Sequence, residues 1–155
     1  MSKNPVNYIT PLRGGVWRYG SGLSVYVEKL IDGRLIGASF RDNGIPVNTV
    51  DEDADTPSFG LTIDGQDMCY GWEFMDFSSE EAQDGTVTGT LTLRHNLKPV
   101  DVKVVTRCGG HGFFKRGISI TNTSQTETLG LTAVSPLTGR IWPMADCLRE
   151  NLSGA

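Results

Sequence analysis

The feature that most constrains this chain is a period-two alternation running through Val100–Leu137. Val100, Val102 and Val104 alternate with Asp101 and Lys103. Phe114, Ile118 and Ile120 share one parity in a second run, and Leu129, Leu131 and Ala133 share one in a third. Alternation at period two sends successive side chains to opposite faces of a strand, so each run can bury one face. The breaks, Cys108-Gly109-Gly110-His111-Gly112 and Asn122-Thr123-Ser124-Gln125-Thr126-Glu127, have the glycine and small polar residues that turns require. Three consecutive strands predict an antiparallel meander, with Val104, Ile118, Ile120 and Leu131 buried in one core.

The same pattern recurs upstream. Leu23-Ser24-Val25-Tyr26-Val27 alternates, and Asp32-Gly33 separates two apolar runs as a hairpin turn that needs positive φ. Phe59–Ile63 alternates before Asp64-Gly65, and Trp72–Phe77 is an aromatic strand. Ser78 and Glu81 have capping-box spacing, which suits one turn of helix or a loop. Thr86–His95 is the cleanest strand, with Val87, Leu91 and Leu93 facing one way and threonines the other. Residues 1–11 read as a lead-in. With 155 residues and 19 glycines, the chain is predicted to be a single all-β domain, an antiparallel β-sandwich with its core over residues 12–140. The pattern fades after Pro136, so an incomplete sandwich, the N-terminal fragment of a longer polypeptide, is expected.

Composition excludes several partners. The net charge of −4, with scattered Lys and Arg, argues against nucleic acid. No apolar run approaches membrane-spanning length. Cys69, Cys108 and Cys147 lack zinc spacing and read as reduced structural cysteines. The start Met1-Ser2-Lys3-Asn4-Pro5 has no apolar signal region, so a cytoplasmic location is expected. Asp51, Glu52, Asp53 and Asp55 resemble the opening of a calcium loop, but Thr56 and Thr62 stand where glycine and glutamate are needed. The glycine-rich run at 108–112 leads into a strand, unlike a phosphate loop. No G-x-S-x-G elbow is present. Neither a metal nor a cofactor is expected.

Two sets of residues carry candidate chemistry. Trp72 and Trp142 are candidate carbohydrate-binding or interface residues, because an indole face stacks on a pyranose, although Trp17, Trp72 and Trp142 also suit a core. His95 or His111 with Glu73 would supply the acid and base of a sugar mutarotase.

Pro57-Ser58-Phe59-Gly60-Leu61-Thr62-Ile63-Asp64-Gly65-Gln66 followed by Trp72-Glu73, and Val102–Leu131 with Phe114-Lys115-Arg116-Gly117-Ile118-Ser119-Ile120-Thr121-Asn122-Thr123, resemble the N-terminal β domain of family 36 glycoside hydrolases, the α-galactosidase group. The likeness covers less than half of the chain. The resemblance implies a supersandwich of the galactose-mutarotase type, packed on a (β/α)8 barrel that holds both catalytic aspartates. The family's Lys-x-Asp nucleophile motif does not occur here, so no catalytic residue is carried over. The function it implies is a non-catalytic domain that packs on the barrel, shapes the active-site rim and supports a homo-oligomer. A free-standing carbohydrate-binding module, a mutarotase-like isomerase and a purely structural interaction domain are the alternatives.

Overall fold

The computed structural model describes residues 6–42, 48, 50 and 56–139. The strands are β1 (Tyr8–Leu12), β2 (Val16–Ser21), β3 (Ser24–Ile31), β4 (Arg34–Arg41), β5 (Gly60–Ile63), β6 (Gln66–Asp67), β7 (Trp72–Glu81), β8 (Val87–His95), β9 (Val100–Cys108), β10 (Phe114–Asn122) and β11 (Leu131–Ser135). No helix occurs among the described residues. Three antiparallel sheets result, in the orders β1-β2-β3-β4, β10-β9-β8-β7 and β11-β5-β6.

Local chemistry explains the hairpins. Asp32 and Gly33 both have positive φ, as do Asp64 and Gly65, the geometry whose twist matches a two-residue hairpin. Asp32-Gly33 joins β3 to β4 and Asp64-Gly65 joins β5 to β6. The Cys108–Gly112 run links β9 to β10, with His111 itself at positive φ.

The two four-stranded sheets pack face to face as a β-sandwich. Trp17 on β2 lies against Phe74 and Phe77 of β7, and Phe40 of β4 meets Phe114 of β10 edge-on. Between them lie Leu91, Leu93, Val100, Val102 and Val104, all essentially inaccessible to water. Alternation therefore places β8 and β9 correctly. The third sheet closes one end: Leu61 and Ile63 of β5 join Phe59, Met68 and Trp72 in the same core.

Several expectations are corrected. β11 does not extend the meander after β10; it crosses to pair with β5, so Leu131 faces Ile63 in register and is 49% exposed rather than buried. Its register is pinned by Gly130, whose amide donates to Asp64 Oδ1 at 2.8 Å and whose carbonyl accepts from the Asp64 amide at 2.8 Å. Ile118 and Ile120 are half-buried, because β10 is an edge strand. Ser78–Glu81 forms neither helix nor loop: β8 offers a ladder partner through Glu81, opposite Val87, and pairing outweighs the local cap. The lead-in contains β1, which pairs with β2. Ile9 of this strand reaches β8 where residue 89 is glycine; a Cβ there would stand 2.8 Å from Ile9 Cδ1. In β3 the buried parity is Ser24, Tyr26 and Glu28, while Leu23, just before the strand, is 65% exposed. Cys69 and Cys108 are free thiols. Trp142, Cys147 and the acidic run 51–55 lie outside the described residues.

Candidate functional site

The polar centre of the sandwich is an ion pair that β3 and β10 bring together. Glu28 points inward from β3 and is completely buried. Arg116 shares the parity of Phe114 and Ile118 on β10, so it too turns toward the interior, and its Nη2 donates to Glu28 Oε2 at 2.8 Å. Tyr19 donates to Glu28 Oε1 at 2.7 Å, and Ser58 donates to Oε2 at 3.1 Å. Arg116 Nε donates to the Pro136 carbonyl at 3.0 Å, and its guanidinium lies 5.8 Å from the centre of the Tyr26 ring. A buried carboxylate is tolerated only when its charge and lone pairs are matched in this way.

The electrostatics follow from that geometry. Burial first, and then the Glu28 charge, push the Tyr19 and Tyr26 hydroxyls well above the usual phenol range, so both remain protonated. Burial opposes the Arg116 charge, but Glu28 more than offsets it and the guanidinium stays ionised. The cluster is therefore a matched pair with no net charge.

Beside it lies a cavity of about 430 Å³. Tyr26, Phe40, Val50, Phe114 and Leu137 form its apolar walls, and Thr106, Arg116 and Thr138 are its polar members. Thr106 Oγ1 and Arg116 Nη1 are both buried without a hydrogen-bond partner among the described residues.

The sandwich also has unequal edges. Among the described residues β7 pairs only with β8, and β11 only with β5. The long β7 carries Glu73, Asp76, Glu80 and Glu81, and such charge discourages further strand pairing. β11 reads Leu-Thr-Ala-Val-Ser, has no charge, and exposes Leu131 and Val134.

The residues singled out from sequence fare differently. Trp72 is 2% exposed, lies against Phe59 and His95, and donates its indole N–H to the Met68 carbonyl at 2.8 Å. Trp17 is buried as well, so neither presents a stacking face to a sugar. His95 Nε2 donates to the Tyr70 carbonyl at 2.8 Å, and Nδ1 accepts from the Leu97 and Lys98 amides. Nδ1 thus serves the turn after β8, and Nε2 ties the end of β8 to the segment before β7. Glu73 is paired in register with Arg94, the neighbour of His95, so Glu73 and His95 turn to opposite faces. His111 belongs to the loop at the far end of the same sheet, beyond the Cys108–Val87 pair. Neither histidine therefore converges with Glu73 as the acid and base of a mutarotase would. No group of three or more His, Cys, Asp or Glu among the described residues could hold a metal, and no helix among them is long and apolar enough to cross a membrane.

Glu28, Arg116 and Thr106 were not singled out from the sequence. The available signal was an arginine on the apolar parity of the run Phe114-Lys115-Arg116-Gly117-Ile118. A charge in that position requires a buried partner of opposite sign. No family model, curated protein or solved structure matches the chain.

Proposed function

We propose that this chain is a non-catalytic β-sandwich domain of an α-galactosidase-like glycoside hydrolase, docked on a (β/α)8 catalytic domain and bordering its active site. The observation that supports docking is the uncharged edge of β11 with Leu131 and Val134 exposed. Open apolar edges of this kind are covered in a finished assembly. The residues resembling the glycoside hydrolase domain, Pro57–Gln66 and Val102–Leu131, include β5 and reach the first residue of β11, the two strands that form this edge.

The test compares this chain with the complete polypeptide of its reading frame. Hydroxyl-radical footprinting should label Leu131 and Val134 readily here and several-fold less in the longer protein. Equal labelling in both rejects docking at β11. A reading frame with no (β/α)8 pattern rejects the parent enzyme.

A further inference from the structure

His95 sits at the end of β8, where the β8–β9 turn, the β3–β4 turn and the segment before β7 meet. Its Nδ1 accepts from the Leu97 amide at 3.2 Å and from the Lys98 amide at 3.0 Å. A backbone N–H can only donate, so Nδ1 carries no proton. The ring proton is therefore on Nε2, which donates to the Tyr70 carbonyl at 2.8 Å. The next residue ties the same two segments, for the Asn96 amide donates to the Gly71 carbonyl at 2.8 Å. Gly71 is closely packed here: a Cβ would stand 2.9 Å from His95 Nε2 and 2.6 Å from Asn96 Oδ1. Trp72 meets the imidazole edge-on with ring centres 5.1 Å apart, and its amide donates to the Gly33 carbonyl at 3.0 Å.

A second proton on this imidazole goes to Nδ1 and turns the acceptor into a donor that faces two donors. Nε2 donates in both charge states, so the bond to Tyr70 survives. The charged and titratable neighbours do not rescue the turn. Lys98 belongs to the turn itself, and its Nζ reaches Asp64 Oδ2 at 3.4 Å. Arg34 of β4 lies 5.1 Å from the centre of the Tyr70 ring, and Asp32 precedes Gly33 in the turn that abuts Gly71. Cys69 and Tyr70 lie in the segment before β7. Glu73, Arg94 and Asp101 turn to the opposite face of the sheet. Among the described residues no carboxylate bonds to the ring, so nothing offers an acceptor to a protonated Nδ1.

We propose that His95 is a proton-operated latch on the β8–β9 turn: the neutral ring holds the backbone of Leu97 and Lys98, and the protonated ring releases it while staying tied to Tyr70. The consequence is at the surface. Leu97 is 87% exposed and Tyr70 is 59% exposed, so acid changes how two apolar side chains are presented at this end of the sandwich. The latch does not rest on docking at β11, and either inference can fail alone.

The experiment is NMR of the ¹⁵N-labelled full chain between pH 8 and pH 5, the range in which histidine ordinarily changes charge. Long-range ¹H–¹⁵N spectra of the imidazole read its tautomer and protonation, and solvent exchange reads each amide. At pH 8 the ring should show the Nε2–H tautomer. As the ring takes up its second proton, protection of the Leu97 and Lys98 amides, corrected for the intrinsic pH dependence of exchange, should fall about tenfold or more, the worth of one to two hydrogen bonds. The Trp72 amide, held by Gly33, should keep its protection, which separates release of the turn from unfolding. His95→Asn places a side-chain oxygen that cannot titrate near the position of Nδ1, and should hold the turn equally at both ends of the range. The wild-type measurement decides the matter even if that variant misfolds. Five outcomes overturn the proposal: an Nδ1–H tautomer at pH 8, a ring still neutral at pH 5, protection unchanged as the ring protonates, parallel loss at Trp72, or the same pH dependence in folded His95→Asn.

Discussion

At the scale of single residues, the Glu28–Arg116 pair dominates. Both side chains are nearly inaccessible to water, and either alone would be an uncompensated buried charge. Glu28→Gln keeps the shape but strands the guanidinium, and should cost about 3–5 kcal/mol in urea unfolding. Arg116→Met should cost a similar amount by stranding the carboxylate. The double variant should recover part of the loss, with a coupling of about 2 kcal/mol or more. Strict additivity would mean that the two charges do not depend on each other. Cys108 supplies a second residue-scale test. Burial pushes its thiol up to about 12, so at pH 8 about one part in ten thousand is thiolate. Burial, followed by the Asp67 charge, also raises the thiol of Cys69, but Cys69 is only half-buried. Iodoacetamide followed by peptide mapping should modify Cys69 in the native protein and Cys108 only when denaturant is added. Comparable native rates would place Cys108 on the surface.

At the scale of elements, position in the sheet grades the cost of truncation. Leu91 is in a central strand and fully buried, so Leu91→Ala should cost about 2–5 kcal/mol. Ile118 is in an edge strand and half-buried, so Ile118→Ala should cost about half as much. Denaturant midpoints in the reverse order would mean that β10 is more central than its pairing indicates. The β3–β4 turn is a separate constraint. Gly33 has φ 74°, and a Cβ would stand 2.9 Å from the Gly71 amide nitrogen. Its carbonyl accepts from the Trp72 amide at 3.0 Å, which ties this turn to the start of β7. Gly33→Ala should destabilise by more than about 1 kcal/mol, since both the backbone conformation and the contact oppose it. An unchanged melting temperature would show that the turn does not abut β7.

For the whole molecule, the edges differ in charge, and that difference sets the expectation for association. The carboxylates along β7 repel a second strand, and the uncharged β11 does not. With its proposed barrel absent, the chain should self-associate through β11, and Val134→Lys should shift sedimentation toward monomer. Association unaffected by that substitution would move the contact elsewhere, with Trp142 the next position to test. A wild-type chain that stays monomeric at micromolar concentrations would reject self-association. The proposed non-catalytic role carries its own expectation: highly purified chain should not hydrolyse a chromogenic α-galactoside. Turnover that survives repurification and scales with this chain would overturn it.

What the sequence determined by itself was the side-chain direction along its clearest strands and the turns whose geometry is local. Alternation in β8 and β9 marks Leu91, Leu93, Val102 and Val104 as core, because side-chain direction along a strand is a local property. Asp32-Gly33 and Asp64-Gly65 mark hairpins, because their left-handed φ values are local as well. Pairing across the fold was left to tertiary structure. β11 alternates as a strand must, but only the positions of β5 and Asp64 draw it away from β10. In β3 the polar parity faces inward because Tyr19, Ser58 and Arg116 surround Glu28. Those three lie 9, 30 and 88 residues from it in the chain. The cavity has the same origin: its rings come from β3, β4 and β10, and alternation within one strand carries no information about a space between two sheets.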